Sequence, residues 1–254
     1  MSKYHNILIT GASSGIGEAL AIYYATSGAT NLFICGRNAE RLKSVADKCR
    51  QSGTQVFEKI LDITDSSATE KWINSCQKIA PLELIFANAG VSTTQEIPDN
   101  IRRTFNTNVM GVVNTVLPSI EILKSAPQTQ PKHIVITASI AGYHGLPACP
   151  SYSATKACVK AWGEALRIDL DKKYGINVST LAPGFVRSRI TDNNTCPMPF
   201  FMEANTAATI IAKRVEKNIG LIAFPWPMRF SAWLVSILPN TLSDFIYRHM
   251  PYKV

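Results

Sequence analysis

The stretch HNILITGASSGIGEAL, residues 5–20, joins an apolar run to a glycine-rich turn and then to a helical pattern. The run HNILIT is typical of a buried β-strand, and the residues from Gly17 onward indicate a helix. Glycine suits the turn between them because a tight bend and a close backbone approach leave no room for a Cβ atom. A helix that begins there offers free N–H groups to a pyrophosphate. The stretch therefore predicts a strand, a turn that can hold a dinucleotide, and a helix.

The three glycines of this turn exclude one class of nucleotide site and leave two interpretations open. A P-loop would end in Gly-Lys followed by Ser or Thr, whereas this turn contains Gly15, Ile16 and Gly17. Nucleoside triphosphate chemistry is therefore disfavoured. Taken alone, the glycines are equally compatible with a tight turn that has only a structural purpose, so the decision depends on the rest of the chain.

The strand pattern returns along the chain. Six further β-rich runs are separated by segments long enough for helices: NLFICG (31–36), TQVFEKI (54–60), LELIFA (82–87), HIVITAS (133–139), INVSTLA (176–182) and GLIAF (220–224). This alternation predicts an α/β fold, a doubly wound, Rossmann-type parallel sheet of seven strands with helices on both faces. Ligands of such a sheet bind at the carboxyl ends of its strands. We expect a single domain over residues 1–254 because this length suits one core and no linker is apparent.

Composition and charge narrow the class of function. The apolar run in MSKYHNILIT is too short for a secretory signal. The six cysteines and four histidines show no C-x-x-C pair or ligand cluster, so we expect no metal site and reduced thiols in the cytoplasm. Most of the net charge of +8 lies in residues 172–254, with ten Lys and Arg against four Asp and Glu. No nucleic-acid motif accompanies this basicity, so it predicts a solvated surface and no nucleic-acid partner.

The end of the second predicted strand indicates which dinucleotide would bind. An Asp or Glu there would hold the ribose 2′-hydroxyl of NAD, but the strand is followed by Arg37, 20 residues after Gly17. An arginine can neutralise a 2′-phosphate, which favours NADP (NADPH). The alternative is that Arg37 is one more solvated cation at a strand end.

A tyrosine and a lysine suggest proton chemistry. The segment SYSATKACVK (151–160) places Tyr152 four residues before Lys156, on one face of a helix. We expect the ammonium to stabilise the phenolate and to lower the pKa of Tyr152 towards neutrality, so that the phenol can exchange a proton with a carbonyl oxygen. Ser139, at the end of HIVITAS, can hydrogen-bond the same oxygen. Because such a pair also arises by chance in a chain of this composition, it has little meaning alone.

Together these motifs resemble the short-chain dehydrogenase/reductase family, in its single-domain branch, over most of the chain. The resembling segments are TGASSGIG (10–17), LDITD (61–65), NAG (88–90), NTNVMG (106–111), TASIAG (137–142), YSATK (152–156) and APGFVRS (182–188). The resemblance implies an NADP-dependent enzyme that transfers a hydride between nicotinamide and a carbonyl or secondary alcohol. It also implies a small-molecule substrate and a homodimer or homotetramer.

The resemblance assigns roles to individual residues. Tyr152 would be the general acid/base, and Lys156 would tune it and hold the nicotinamide ribose. Ser139 would orient the substrate, and Asn108 would anchor a water in a proton relay. The residues implied for cofactor binding are Gly11, Ser13, Ser14, Gly15, Ile16, Gly17, Arg37, Asp62, Ile63, Asn88, Ala89, Gly90, Tyr152, Lys156, Pro183, Gly184 and Val186.

Two positions depart from the family pattern. Ala87 stands where the family often has Asn, and Ser188 stands where it usually has Thr. We interpret the change at Ala87 as tolerable, and Ser188 keeps the hydroxyl of threonine. We therefore expect neither change to affect the chemistry. The alternative to an enzyme is a catalytically idle NADP-binding regulator, whose expected signature, loss of Tyr152 or Lys156, is absent.

Two apolar segments bear on the substrate. The loop of about 185–203 carries side chains that suit an apolar substrate or ordinary packing against the sheet: Phe185, Val186, Ile190, Met198, Phe200, Phe201 and Met202. His144 either edges the same pocket or forms a surface hydrogen bond. Residues of about 226–250 form an apolar extension with helical spacing. This extension is interpreted as core, lid or subunit contact, or as a surface that lies flat on a membrane.

Overall fold

The computed structural model describes residues 2–93, 95–147, 149–192 and 197–249. Within these residues the strands are β1 (Asn6–Thr10), β2 (Asn31–Gly36), β3 (Gln55–Ile60), β4 (Leu84–Ala87), β5 (His133–Thr137), β6 (Asn177–Pro183) and β7 (Leu221–Phe224). The helices are α1 (Gly15–Thr26), α2 (Ala39–Arg50), α3 (Ser66–Ile79), α4 (Pro98–Phe105), α5 (Gly111–Lys124), α6 (Pro150–Tyr174), α7 (Arg189–Asp192), α8 (Ala204–Glu216), α9 (Trp226–Ser236) and α10 (Asn240–Arg248). A π-helical turn (Asn106–Met110) joins α4 to α5, and a 3₁₀ turn (Ile140–Gly142) precedes α6.

The seven strands found in the described residues form one parallel sheet in the order β3-β2-β1-β4-β5-β6-β7. β1 pairs with both β2 and β4, so the strand order changes direction beside β1. Helices cover both faces of the sheet, which confirms the predicted doubly wound, Rossmann-type fold. At the change of direction the connections diverge to opposite faces and leave a crevice at the carboxyl ends of the strands.

Successive side chains of the central strands enter different cores. In β1, Ile7 and Ile9 pack in a core shared with α1, α2 and α8, whereas Leu8 packs in a core shared with α3, α5 and α6. None of the three is exposed to solvent. Burial of a side chain of this size stabilises the fold by about 1.5–3 kcal/mol. The near-continuous apolar strands of the sequence therefore reflect burial on both sides.

Local caps fix where the helices begin and end. The Asn38 side chain accepts a hydrogen bond from the Arg41 N–H at the start of α2, and Asp65 does the same for Ala68 at the start of α3. At the other end of its helix, Gly175 ends α6 in the left-handed region, with φ of +65°. Because parallel strands lead into these helices, the capped first turns lie at the carboxyl edge of the sheet.

The C-terminal extension is not part of the core. α9 has no buried residue, and α10 buries only Ser243. Met250, the last residue of the predicted extension, lies outside the described residues. In the part of the chain that the structure describes, no helix has both the length and the apolar character needed to cross a membrane.

Candidate active site

A cavity of about 1130 Å³ opens at the carboxyl edge of the sheet. Most of the residues that the sequence indicated line it: Gly11, Ser13, Ser14, Gly15, Ile16, Arg37, Asp62, Ile63, Asn88, Ala89, Gly90, Ser139, Tyr152, Lys156, Pro183, Gly184 and Val186. Gly17 and Asn108 do not line the cavity, and both contact residues that do. The structure therefore brings motifs from the whole length of the sheet to one place.

The glycine turn packs too tightly for side chains. A Cβ atom at Gly11, where φ is +69°, would lie 2.7 Å from the Ala89 Cα. At Gly15, where φ is +59°, it would lie 2.8 Å from the Ser188 Cβ. A Cβ atom at Gly17 would overlap the Gly11 carbonyl oxygen, so this glycine serves the packing of α1 against the turn. The first turn of α1 therefore lies at the cavity wall, and its N–H groups have no acceptor within the helix.

Thr10, which the sequence did not indicate, joins the ends of β1 and β4. Its Oγ1 accepts hydrogen bonds from the N–H groups of Asn88, at 3.0 Å, and Ala89, at 3.2 Å. The Asn88 side-chain amide donates to the Thr10 carbonyl at 3.1 Å, and its oxygen accepts from the Thr137 hydroxyl at 3.3 Å. Asn88 therefore holds the ends of β1, β4 and β5 together at the cavity floor.

Tyr152 and Lys156 lie on the wall that α6 presents to the cavity. The Lys156 Nζ donates to the Thr137 carbonyl at 2.9 Å and lies 5.7 Å from the centroid of the Tyr152 ring. Burial lowers the pKa of Lys156 to about 8. Loss of hydration raises the pKa of Tyr152 to about 12, and hydrogen bonding with Ser139 offsets this only in part. The lowering of this pKa expected from the Lys156 ammonium is not seen in this structure, where desolvation is the largest influence on the phenol.

Ser139 is nearly buried, with 9% of its surface exposed. Its Oγ accepts a hydrogen bond from the Ala141 N–H at 3.1 Å, which starts the 3₁₀ turn. Its hydroxyl lies 3.4 Å from the Pro183 carbonyl, at the long limit for a hydrogen bond. Besides its hydrogen bond with Tyr152, the Ser139 hydroxyl thus has only a long contact with Pro183 and can turn towards an acceptor in the cavity.

Asn108 is fully buried in the π-helical turn. Its side-chain amide donates to the Val91 carbonyl at 2.9 Å and to the Thr155 Oγ1 at 3.1 Å, while its oxygen accepts from the Val91 N–H at 2.8 Å. Both amide protons are therefore engaged with protein. Thr155, which the sequence did not single out, is on the helix that carries Tyr152. The side chain of Asn108 thus fastens the loop after β4 to α6.

The end of the cavity beside β2 is positively charged. Arg37 pairs with Asp62 at 3.6 Å, and both side chains are exposed. Desolvation acts to raise the pKa of Asp62, but hydrogen bonds from Thr64 and the charge of Arg37 hold it below its usual range. Arg41 and Arg103 line the same end, and the buried Nε of Arg41 has no hydrogen-bond partner within the described residues. The sequence shows Arg41 four residues after Arg37, but not that Arg41 lines the cavity.

The loop of about 185–203 lines the cavity with only some of its apolar residues: Phe185, Val186, Ile190, Pro197, Pro199 and Phe200. Its residues 193–196 lie outside the described part of the chain. The predicted pocket residues that do not line the cavity are Met198, Phe201 and Met202. Phe201 instead packs against the Arg187 guanidinium, and Met202 packs against the core. Of the two interpretations that the sequence left open, Met202 fits ordinary packing, and the methionine that lines the cavity is Met228 of α9.

Both C-terminal helices contribute to the cavity wall, which the sequence did not predict in detail. The lining residues of α9 are Met228, Ser231, Ala232 and Val235, at helical spacing. From α10, Tyr247 lines the cavity and packs at a tilt against the His144 ring, with 4.9 Å between ring centroids. Helical spacing alone does not show which face of a helix meets the rest of the fold, so this contribution needed the structure.

Comparisons with known proteins agree with one another. The sequence model described as "short chain dehydrogenase" matches residues 5–197. An uncharacterized oxidoreductase of Myxococcus xanthus is 34% identical over an alignment that covers 98% of each chain. A short-chain dehydrogenase of Sphingobium yanoikuyae in complex with NADPH has a TM-score of 0.78 at 23% identity, covering 96% of each chain. Another, from Mycobacterium paratuberculosis and bound to NAD, has a TM-score of 0.74 at 20% identity, covering 88% of this chain and 97% of that one. At these identities the two solved structures show the fold alone.

Proposed function

Because the chain belongs to the short-chain dehydrogenase family of oxidoreductases, we propose that it is an NADP-dependent enzyme acting on a carbonyl or secondary alcohol. The observation that supports this most is that Tyr152, Lys156 and Ser139 line the same cavity as the glycine turn. Reduction is the proposed direction, in a cytoplasm rich in NADPH. The whole chain, residues 1–254, would act as one domain.

The residues present suit a nicotinamide dinucleotide. The first turn of α1 brings N–H groups to the cavity wall, where a pyrophosphate would lie. At the far end the Arg41 side chain lines the cavity, and its buried Nε has no acceptor among the described residues. When bound, the dinucleotide supplies or accepts the hydride. The nicotinamide would be held by Lys156 and by Pro183, Gly184 and Val186 after β6.

The charge beside β2 favours NADP over NAD. Among the described residues that line this end of the cavity, three guanidinium groups, from Arg37, Arg41 and Arg103, face a single carboxylate, that of Asp62. Since Arg37 already pairs with Asp62, the guanidinium of Arg41, which forms no ion pair among the described residues, is the better placed to meet a 2′-phosphate. A carboxylate at this end would repel that phosphate, but here it is outnumbered.

In this proposal Tyr152 exchanges the proton that accompanies hydride transfer. Its pKa of about 12 keeps the phenol protonated at neutral pH, so it is ready to donate to a carbonyl oxygen. Ser139 would donate a second hydrogen bond to that oxygen and stabilise the charge that develops on it. Lys156, anchored on the Thr137 carbonyl, would favour the phenolate that donation leaves behind.

Asn108 is proposed as a positioning residue. Since both of its amide protons bond to Val91 and Thr155, its side chain has no donor left for a water. A π-helical turn inside a helix is rare and often marks a functional site. Any contribution of Asn108 to a proton relay would therefore come from its backbone and from the geometry that it imposes on α6.

The cavity favours an apolar substrate. It is lined by Phe185, Ile190 and Phe200 from the loop after β6, and by Met228 and Val235 from α9. Such a lining binds an apolar body without fixing its shape, while Ser139 and Tyr152 select only the reacting oxygen. We therefore assign a class of substrate, an apolar ketone, aldehyde or secondary alcohol, and no single compound.

A homodimer or homotetramer is proposed from the exposed face of α6. This face carries mostly small residues: Ala154, Ala157, Cys158, Ala161, Ala165 and Ile168. Small side chains allow two helices to approach closely. On α5, the exposed Leu117 adds apolar area to such a contact. Sedimentation analysis tests this: Ala161→Arg should lower the mass of the assembly if α6 pairs with a second copy.

The decisive experiment measures turnover of a panel of apolar carbonyl compounds with NADPH and with NADH. We expect NADPH to be preferred, and Arg41→Gln to lower kcat/KM for NADPH by about 10–100-fold, the value of a charge-assisted hydrogen bond. The same change should leave NADH unaffected. Lys43→Gln, on α2 but outside the cavity, is the matched control. A preference for NADH in the unchanged protein would contradict the assignment of NADP.

A further inference from the structure

The outer face of α9 and α10 has no place in the proposed chemistry. Seven of its large apolar side chains are exposed: Trp226, Phe230, Trp233, Leu234, Ile237, Leu242 and Phe245. We call these seven residues the apolar face. Trp226 is 76% exposed and Phe245 61%. Single exposed apolar side chains are ordinary on a protein surface, but a concentration of this kind marks an interaction site.

The apolar face lies on the back of the cavity wall. The opposite side of α9 lines the cavity with Met228 and Val235, and α10 does so with Tyr247. Across the opening, Ile190 and Phe200 line the cavity and are also exposed, by 40% and 58%. Exposed apolar side chains are therefore found both on the helices and on the loop that line the candidate active site.

The composition of this face suits a lipid surface. Tryptophan favours the boundary between headgroups and acyl chains, where its indole N–H can stay in contact with water, and phenylalanine and leucine supply the apolar area of interfacial helices. Arg229 and Arg248 are exposed on the same two helices, against one exposed acid, Asp244. The helices, of 11 and nine residues, are far too short to span a bilayer but suit an orientation parallel to it.

We infer that the apolar face docks on the surface of an anionic phospholipid bilayer, with its aromatic rings at headgroup level and Arg229 and Arg248 near the phosphates. Docking would hold the mouth of the cavity against the lipid. An apolar substrate dissolved in the bilayer would then reach Tyr152 without crossing water. This last consequence rests on the proposed function, whereas docking itself does not.

Flotation of the full-length protein with lipid vesicles tests the docking. We expect the protein to float with phosphatidylcholine vesicles that contain phosphatidylglycerol and to float less with phosphatidylcholine alone. Joint replacement of Trp226 and Phe230 by Gln should weaken binding by about tenfold or more, since both side chains lie outside the cavity lining and contribute only to docking. Arg248→Gln should weaken binding to the anionic vesicles by about fivefold and leave the neutral ones unaffected.

Ile79→Gln is the matched control. Ile79 ends α3 at the opposite edge of the sheet and is 53% exposed, the same fraction as Phe230. Equal loss of flotation in this control would overturn the proposal, as would failure of the unchanged protein to float. The alternative is that a second copy of the chain binds the apolar face, and sedimentation without lipid tests it. If the assembly mass of the Trp226 and Phe230 variant is smaller, a second copy covers this face and the docking proposal fails. Because flotation measures binding and not turnover, it tests docking even if the proposed enzyme activity is absent.

Discussion

Buried polar groups at the two ends of β5 differ in how completely they are hydrogen-bonded. At the amino end, both ring nitrogens of His133 are bonded, one to the Tyr4 hydroxyl at 2.7 Å and the other to the Ser179 hydroxyl at 2.9 Å. At the carboxyl end, Lys156 is buried against one carbonyl oxygen, and Tyr152 faces a cavity. The first arrangement is saturated by its own members and stabilises the fold. The second leaves bonding capacity unused, which costs stability and keeps groups ready for a ligand.

Tyr152→Phe tests the carboxyl end and has the largest expected effect. If Tyr152 supplies the proton, the change should lower kcat by about 10²–10⁴-fold while the binding of NADPH is kept. The free energy of unfolding of the variant should differ from that of the unchanged protein by less than about 1 kcal/mol, because the lost hydroxyl faces a cavity. Steady-state turnover and quenching of protein fluorescence by NADPH measure the two effects. Unchanged turnover would remove Tyr152 from the chemistry, and an unchanged protein that binds NADPH but reduces nothing would be an idle cofactor-binding relative.

Lys156→Met tests how much the buried charge of Lys156, at the carboxyl end of β5, destabilises the folded protein. Below a pH of about 8 the folded protein holds a charged, buried lysine, whereas the unfolded chain holds that charge in water up to about 10.5. Burial therefore disfavours the folded state throughout the neutral range, and the penalty is relieved only as pH rises from about 8 to 10.5. We expect the variant to be more stable at pH 7, by up to about 3 kcal/mol, and inactive. Denaturant unfolding measures this, and a loss of stability would show that the bond to Thr137 outweighs desolvation.

Tyr4→Phe is the same chemical change as Tyr152→Phe, made at the amino end. It leaves one nitrogen of a buried histidine without a partner, so the free energy of unfolding should fall by about 1–3 kcal/mol. Turnover should be unaffected, because Tyr4 lies at the opposite edge of the sheet from the cavity. The pair of variants thus separates stability from activity. An active-site defect in Tyr4→Phe would show that the two edges are coupled.

The sequence predicted the sheet well because its strands are local, apolar and buried on both faces. All seven runs, from HNILIT to GLIAF, are strands of the one parallel sheet. The motif residues also met as expected, since parallel strands deliver their carboxyl ends to a single edge. Gly11, Asn88, Ser139 and Tyr152 are far apart in the chain, yet all line one cavity.

What the sequence could not predict depends on burial and on the faces of helices. The pKa of Tyr152 follows from how much water the folded chain excludes, which the spacing to Lys156 does not show. Thr10 and Thr155 look ordinary until their hydroxyl partners across the fold are known. The spacing in α9 indicated an amphipathic helix, but not that Met228 would line the cavity and Trp226 would face solvent.

The smallest effect, and the sharpest test of saturation at the amino end, is the dependence of stability on pH. Burial lowers the pKa of His133 to about 3, whereas an unfolded histidine titrates near 6.5. Below pH 6.5 the unfolded chain therefore binds a proton that the folded chain refuses, so stability is complete above this pH and is lost as pH falls towards 3. Between pH 6.5 and 5.5 we expect a loss of about 1 kcal/mol, measured by denaturant unfolding at each pH. His133→Gln, whose amide can keep a donor and an acceptor in place, should remove this slope. If the slope persists in the variant, other groups cause the acid sensitivity. His133 would then not be held in its neutral form by burial, and the contrast between the two ends of β5 would fail.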